Sequence, residues 1–210
     1  MDAFNVANNL PDLLFSLISG GALAVAFIPV LSDYLEKKGY HHSWRLFSIV
    51  ANLVFLVTAG LSLVVALFAH QLIISPFGIA PGFSPVQQLL ATDLMRLNLI
   101  ATLIFSLSGL VMAGLQSHKH FLLPAIAPIL YNAGIIFGSV FLVPFFGVYG
   151  LVYGVIIGAI LHLGIQIPGL IKYHFKWSAS FDLKEPGVRQ TLRLMGPRIL
   201  TVLFIQIIFL

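Results

Sequence analysis

Hydrophobic positions along this chain come in long unbroken runs, and short polar stretches separate them. A helix needs about 20 mostly apolar residues to cross a bilayer. By that measure the runs predict helices over about 4–35, 46–69, 97–115, 121–143 and 148–171. A sixth begins near 199 and stops at 210, too short to span. The first run is interrupted by Pro11, Gly20, Gly21 and Pro29, and the fourth carries Pro124 and Pro128 near its start. The expected fold is an all-α integral membrane protein. It is a polytopic helix bundle with about five complete transmembrane helices plus one truncated, forming a single transmembrane domain over 1–210.

Composition agrees with this pattern. Residues are 59% hydrophobic and only 9% charged, whereas a soluble domain carries roughly a quarter charged residues. Too few charges remain to cover a water-facing surface, so the expected solvent is lipid. The chain has no cysteine, which excludes thiolate metal sites, disulfides and cysteine nucleophiles. The first residues have neither a basic segment nor a cleavage signal and do not read as a signal peptide.

The positions of the cations add a direction. Lys37, Lys38 and Arg45 lie in "EKKGYHHSWR", Lys119 lies in "QSHKH", and Lys172, Lys176, Lys184, Arg189, Arg193 and Arg198 lie in or beside the stretch 172–198. If each run crosses once, these loops fall on one side, and only Arg96 falls outside them. Basic loops stay cytoplasmic, so the first segment is expected to run outside to inside. The stretch from Tyr173 to Leu194 reads either as a short amphipathic surface helix or as a solvated linker.

Within the first run, polar residues recur with helical spacing. At about 100° per residue, Asn5, Asn8, Asn9, Asp12, Ser16 and Ser19 share one face, and Leu10, Leu13, Leu14, Leu17 and Ile18 lie largely away from it. Such a stripe is unfavourable in hydrocarbon, because each unpaired polar group there costs several kcal/mol. It must face protein or water. One reading is the wall of a hydrated substrate cavity formed by Asn8, Asn9, Asp12, Ser16 and Ser19. In that reading Pro11, Gly20, Gly21 and Pro29 act as a hinge. The other is a polar seam that holds neighbouring helices together. The ionisable Asp12 favours the cavity.

Other residues carry weaker signals. Asp93 and Arg96, spaced i, i+3, are expected to pair at the outer end of the third segment, as an interfacial ion pair or a gate. Gly147, Gly150, Gly154 and Gly158 form a small-residue packing face. His162 and Gln166 continue one face of that helix as polar contacts. No metal site is expected, because acidic and histidine residues lack ligand spacing. No phosphate-binding glycine loop, GxSxG or HExxH is present, so no enzyme activity and no cofactor are expected. The basic loops lack the aromatic interleaving of a nucleic-acid surface.

An ordered set of motifs resembles the MurJ/MviN family of lipid II flippases. The motifs are Asp2-Ala3-Phe4, Leu10-Pro11-Asp12-Leu13-Leu14, Gly21-Ala22 and Ala26-Phe27-Ile28-Pro29-Val30. They continue with Ala80-Pro81-Gly82-Phe83, Pro124-Ala125-Ile126-Ala127-Pro128, Asn132, Gln166-Ile167-Pro168 and Met195-Gly196-Pro197. The resemblance covers nearly the whole chain. It implies about fourteen helices in two related halves around a central cavity, of which this chain is part of the N-terminal half. It further implies Asn132 as a polar contact and a multi-pass location in the bacterial cytoplasmic (inner) membrane. The implied activity is alternating-access movement of a lipid-linked peptidoglycan precursor. The implied partners are membrane lipids, a polyprenyl-pyrophosphate-linked glycan and the C-terminal half of the same protein, with no nucleic acid. One departure stands out. Where many members carry arginines just after the LPNLL motif, this chain has Phe15 and Ser16, and a pyrophosphate wants cations. Either a cation comes from helices outside this chain, or the protein is an exporter of the same group with another cargo; a scaffold whose polar stripe only cements helices is the alternative from a different class.

Overall fold

The structure is a computed structural model that describes residues 2–18, 22–75, 79–80 and 82–208. Ser19, Gly20 and Gly21, and with them part of the expected hinge, lie outside these residues. Helices dominate, with no strand among the described residues. They are α1 (Asp2–Ile18), α2 (Ala22–Ile74), α3 (Pro85–Ser117), α4 (Leu122–Phe137), α5 (Val143–Phe146), α6 (Tyr149–Gly164), α7 (Ile167–Lys172) and α8 (Pro186–Ile208). A π-helical turn, Gly138–Leu142, joins α4 to α5.

The boundaries differ from those expected in ways that local chemistry explains. "EKKGYHHSWR" reads as a loop by its charge, yet it is helical on both sides of a single break at Gly39 (φ 78°, ψ 178°). Charged residues are good helix formers, and only the positive φ, which glycine adopts freely, turns the chain. At ~1.5 Å per residue α2 would be far longer than a ~30 Å hydrocarbon core. Instead it folds back on itself. Phe27 before the break meets Phe47 after it, with ring centroids 6.1 Å apart.

The third helix starts at Pro85 rather than near 97. Ser84 caps it, accepting from the Gln87 amide while Gln87 Oε1 accepts from the Ser84 amide. The Asp93–Arg96 pair therefore sits about two turns inside α3, not at its end. The stretch 172–198 divides at Pro186, whose fixed φ suits a helix start. Residues 173–185 are irregular, and α8 begins 13 residues before the last apolar run. Helices α6 and α7 replace one expected span and meet at Ile165–Gln166.

Two apolar clusters hold the bundle. One joins Leu23, Phe27, Val30 and Leu31 to Trp44, Phe47, Val50 and Leu110. The other joins Ala3 and Ala7 to Ala69, Ile73, Leu94, Met95 and Val152. The three basic stretches meet beside the first cluster. His118 stacks on Trp44 with centroids 4.6 Å apart and lies 4.8 Å from Tyr173. Four segments are long and apolar enough to cross a membrane, and the first of them contains the break at Gly39. Leu56, Leu63, Leu67, Ile129, Ile136 and Phe141 are exposed on the bundle's outside, as expected for side chains that meet lipid.

Candidate functional site

Between the two clusters, α1, α3, α4 and α6 leave a partly open cavity of about 420 Å³. From α1 it receives Phe4, Asn8, Pro11, Asp12 and Phe15. These positions step by four, three, one and three residues, which is one face of a helix. Asn98, Thr102 and Phe105 come from α3, Tyr131 from α4, and Val155 and His162 from α6.

The expected polar stripe divides within this arrangement. Asn8 faces the cavity and its Oδ1 accepts from Asn98 Nδ2. Asp12, one turn on, is exposed and also lines it. Asn9 is about 100° around the helix from Asn8 and lies outside the cavity wall. With Asp2, Asn5 and Asp12 it forms an exposed polar edge along α1. The opposite face of α1 is buried through Ala3, Ala7 and Leu14. Ser16 is half-buried and donates from Oγ to the Leu13 carbonyl at 2.9 Å. Pro11 is buried in the cavity wall and Pro29 is exposed, and both sit within continuous helix.

His162 enters the cavity from a buried network. Ser108 Oγ lies 2.6 Å from His162 Nδ1 and accepts from Gln166 Nε2 at 2.9 Å. Gln166 Nε2 is also 2.8 Å from the His162 carbonyl. The serine hydroxyl has one donor and two acceptor sites, so it serves the amide and the ring nitrogen together. Phe105 connects the aromatic wall, with its ring 5.5 Å from Phe15, 4.8 Å from Tyr131 and 5.3 Å from His162.

Three expected residues of interest sit elsewhere. Asp93 and Arg96 approach at 3.9 Å and are both about half exposed. Arg96 Nε donates to the Ala66 carbonyl and Tyr149 OH reaches Asp93, which ties α3 to α2 and α6 away from the cavity. Asn132 is exposed on α4 and donates to the Pro128 carbonyl at 2.9 Å. Asn98, Thr102, Tyr131 and Ser108 are members of the site or its support that pattern reading passed over. The i, i+4 spacing of Asn98 and Thr102 inside an apolar run was the available signal. No Lys or Arg lines the cavity, and no cluster of metal-ligating side chains occurs among the described residues.

Comparison with known proteins places this geometry in a family. The family model described as Lipid II flippase MurJ matches residues 1–210. A probable lipid II flippase MurJ of Buchnera aphidicola subsp. Acyrthosiphon pisum is 34% identical over 203 residues, covering 95% of this chain and 39% of that protein. A lipid II flippase MurJ of Burkholderia cenocepacia is 31% identical, covering 98% of this chain and 41% of its own length. A solved structure of a lipid II flippase MurJ in an inward closed conformation superposes with a TM-score of 0.75 at 26% identity, over 96% of this chain and 41% of that one. The chain thus spans about two fifths of the length of these relatives. The family model covers the whole chain and the superposition shares its all-helical membrane fold, so the chain belongs to the lipid II flippase MurJ family.

Proposed function

We propose that this chain is the part of a lipid II flippase in which one wall of the substrate path is built. The complete protein moves a polyprenyl-pyrophosphate-linked peptidoglycan precursor across the bacterial inner membrane. The observation that carries this reading is the open polar cavity at Asn8 and Asp12, with the exposed polar edge of α1 beside it. Irregular or polar surfaces at membrane depth are tolerated where they line a cavity. The sugar–peptide head travels through that wet space while the prenyl tail stays in lipid. No bond is made or broken. The amides, Thr102, Tyr131 and the His162 ring offer hydrogen bonds that replace water along the way.

The remainder of a full-length relative closes the cavity from the side of the polar edge. The hinge that lets α1 and α2 change their relation is assigned to Pro11, Gly20, Gly21 and Pro29. On α1, Asn9 borders the path from the exposed polar edge and Ser16 supports the helix one turn beyond Asp12, while the Asp93–Arg96 pair braces α3 away from the path. A second reading is favoured by one observation: among the described residues no cation lines the cavity, and a pyrophosphate is best held by one. An exporter of the same group with an uncharged or cationic cargo fits that wall.

The test is genetic. The protein, expressed with its complete reading frame, is expected to rescue cells depleted of their own lipid II flippase. Asp12→Ala is expected to abolish rescue while membrane levels stay normal. Failure of the unmodified protein to rescue supports the second reading, and full rescue by Asp12→Ala removes Asp12 from the path.

A further inference from the structure

At the basic end of the bundle lies a second cavity of about 630 Å³, remote from α1. Arg45 and Lys176 line it, with His41, His174, Tyr40 and Trp177. No carboxylate lines it, and among the described residues neither Arg45 nor Lys176 has an acidic partner within ion-pair distance. Two cations share one concave space with nothing to neutralise them. Ser178 also lines the cavity, and its Oγ has no hydrogen-bond partner among the described residues.

The walls are built rather than incidental. Asn52 Nδ2 donates to the carbonyls of Ser178 and Ser180 at 2.9 and 3.0 Å, and its Oδ1 accepts from Trp177 Nε1 at 2.9 Å. Trp44 Nε1 donates to the Tyr173 carbonyl at 2.8 Å. These bonds pin the irregular segment 173–180 across the start of the second arm of α2, which puts Lys176 opposite Arg45.

Trp177 belongs to two spaces at once. On its other side runs a groove of about 320 Å³ lined by Phe47, Ala51, Phe55, Leu107, Val111 and Leu170, almost wholly apolar. From Phe47 to Phe55 the groove follows α2 for ~12 Å, most of the ~15 Å depth of one leaflet. A basic pocket at the surface thus opens beside an apolar channel running inward, with an indole between them. Indoles favour the headgroup level, and anionic lipids draw Lys and Arg there.

We propose that pocket and groove together form a binding site for an anionic phospholipid of the leaflet at the basic end. Arg45 and Lys176 hold its phosphate, and one acyl chain lies along Phe55 and Val111. The site is separate from the substrate path and binds lipid that is not cargo. By bridging the break after Gly39 to the segment before α8, the bound lipid fastens the hairpin of α2 to the following helix.

The experiment is native mass spectrometry of the purified protein titrated with phosphatidylglycerol or with phosphatidylcholine of the same chains. Phosphatidylglycerol is expected to bind roughly tenfold more tightly. The exposed double variant Arg45→Gln/Lys176→Gln is expected to erase that preference without changing the unfolding midpoint in lipid-free detergent. Val111→Trp, which fills the groove and leaves the cations alone, is expected to weaken both lipids alike. Equal binding of the two lipids by the unmodified protein overturns the proposal, as does a preference that survives the double variant. Displacement of phosphatidylglycerol by millimolar glycerol 1-phosphate, with Val111→Trp inert, shows a soluble-anion site and also overturns it. Loss of the site in the full-length protein alone shows that another helix occupies the groove, with the same consequence.

Discussion

Ser108 is the residue on which the polar interior of α3 and α6 depends. It is fully buried, and it satisfies Gln166 and His162 at once. Ser108→Ala leaves both partners short of a bond in a low-dielectric seam. Removing one partner of a buried pair costs ~1–3 kcal/mol, so the unfolding free energy in detergent is expected to fall by that amount. An unchanged midpoint would mean that water replaces the hydroxyl.

His118 governs a pH effect at the same scale. It stands just past the end of α3, where Nδ1–H donates to the Gly114 carbonyl at 2.8 Å and the ring stacks on Trp44. Burial lowers its pKa, and the bond to the carbonyl opposes this only in part. The unfolded chain therefore takes up this proton at higher pH than the folded protein does. Its contribution to stability is complete above the ordinary histidine value, ~6.5, and is lost as pH falls through that value toward the lowered one. Unfolding midpoints measured from pH 7.5 down to 5 are expected to drop less in His118→Phe than in the unmodified protein. Equal slopes would remove His118 as the cause.

At the scale of elements, the glycine face of α6 does what its spacing foretold. A methyl built on Gly154 would stand 2.8 Å from Gly138 Cα and 3.0 Å from the Gly134 carbonyl, and Gly158 meets the backbone at Tyr131. These are backbone atoms that cannot swing away, so α4 and α6 touch only because both faces lack side chains. Gly154→Val is expected to cost ~1–3 kcal/mol or more, read as a lowered unfolding midpoint. Gly60→Ala, with nothing within 4 Å, serves as the neutral control.

Gly147 was grouped with this face by spacing, but at φ 58° it forms the turn before α6. Such distinctions show where pattern reading stops. Runs of apolar residues locate the spans because burial in lipid requires them. The helical state of "EKKGYHHSWR" was hidden, since charge marks contact with water and not the backbone's shape. Likewise the capping box at Ser84 and Gln87 was present in the sequence, but its apolar context begins a turn later.

For the whole molecule, three distant basic stretches converge at one end while α1 lays a polar edge along the bundle. The family and the membrane fold were legible, because motifs and hydropathy are local properties of the chain. Of the cavity, a polar wall was legible from α1, and from α6 only the single polar contact at His162. Its other walls, at Asn98, Thr102, Tyr131 and His162, come from helices whose single polar residues gain meaning through packing. The absence of arginine at Phe15 and Ser16 is matched in space by a wall that holds no Lys or Arg among the described residues. From this side the wall offers amides, hydroxyls and the Asp12 carboxylate.

The account rests on Asp12 facing water at membrane depth. The chain has no native thiol, so Asp12→Cys can be probed singly in intact membranes with a membrane-impermeant maleimide, beside Leu14→Cys, whose position is 7% exposed. Rapid labelling at position 12 and protection at position 14 is the result expected. Protection at both positions would contradict it.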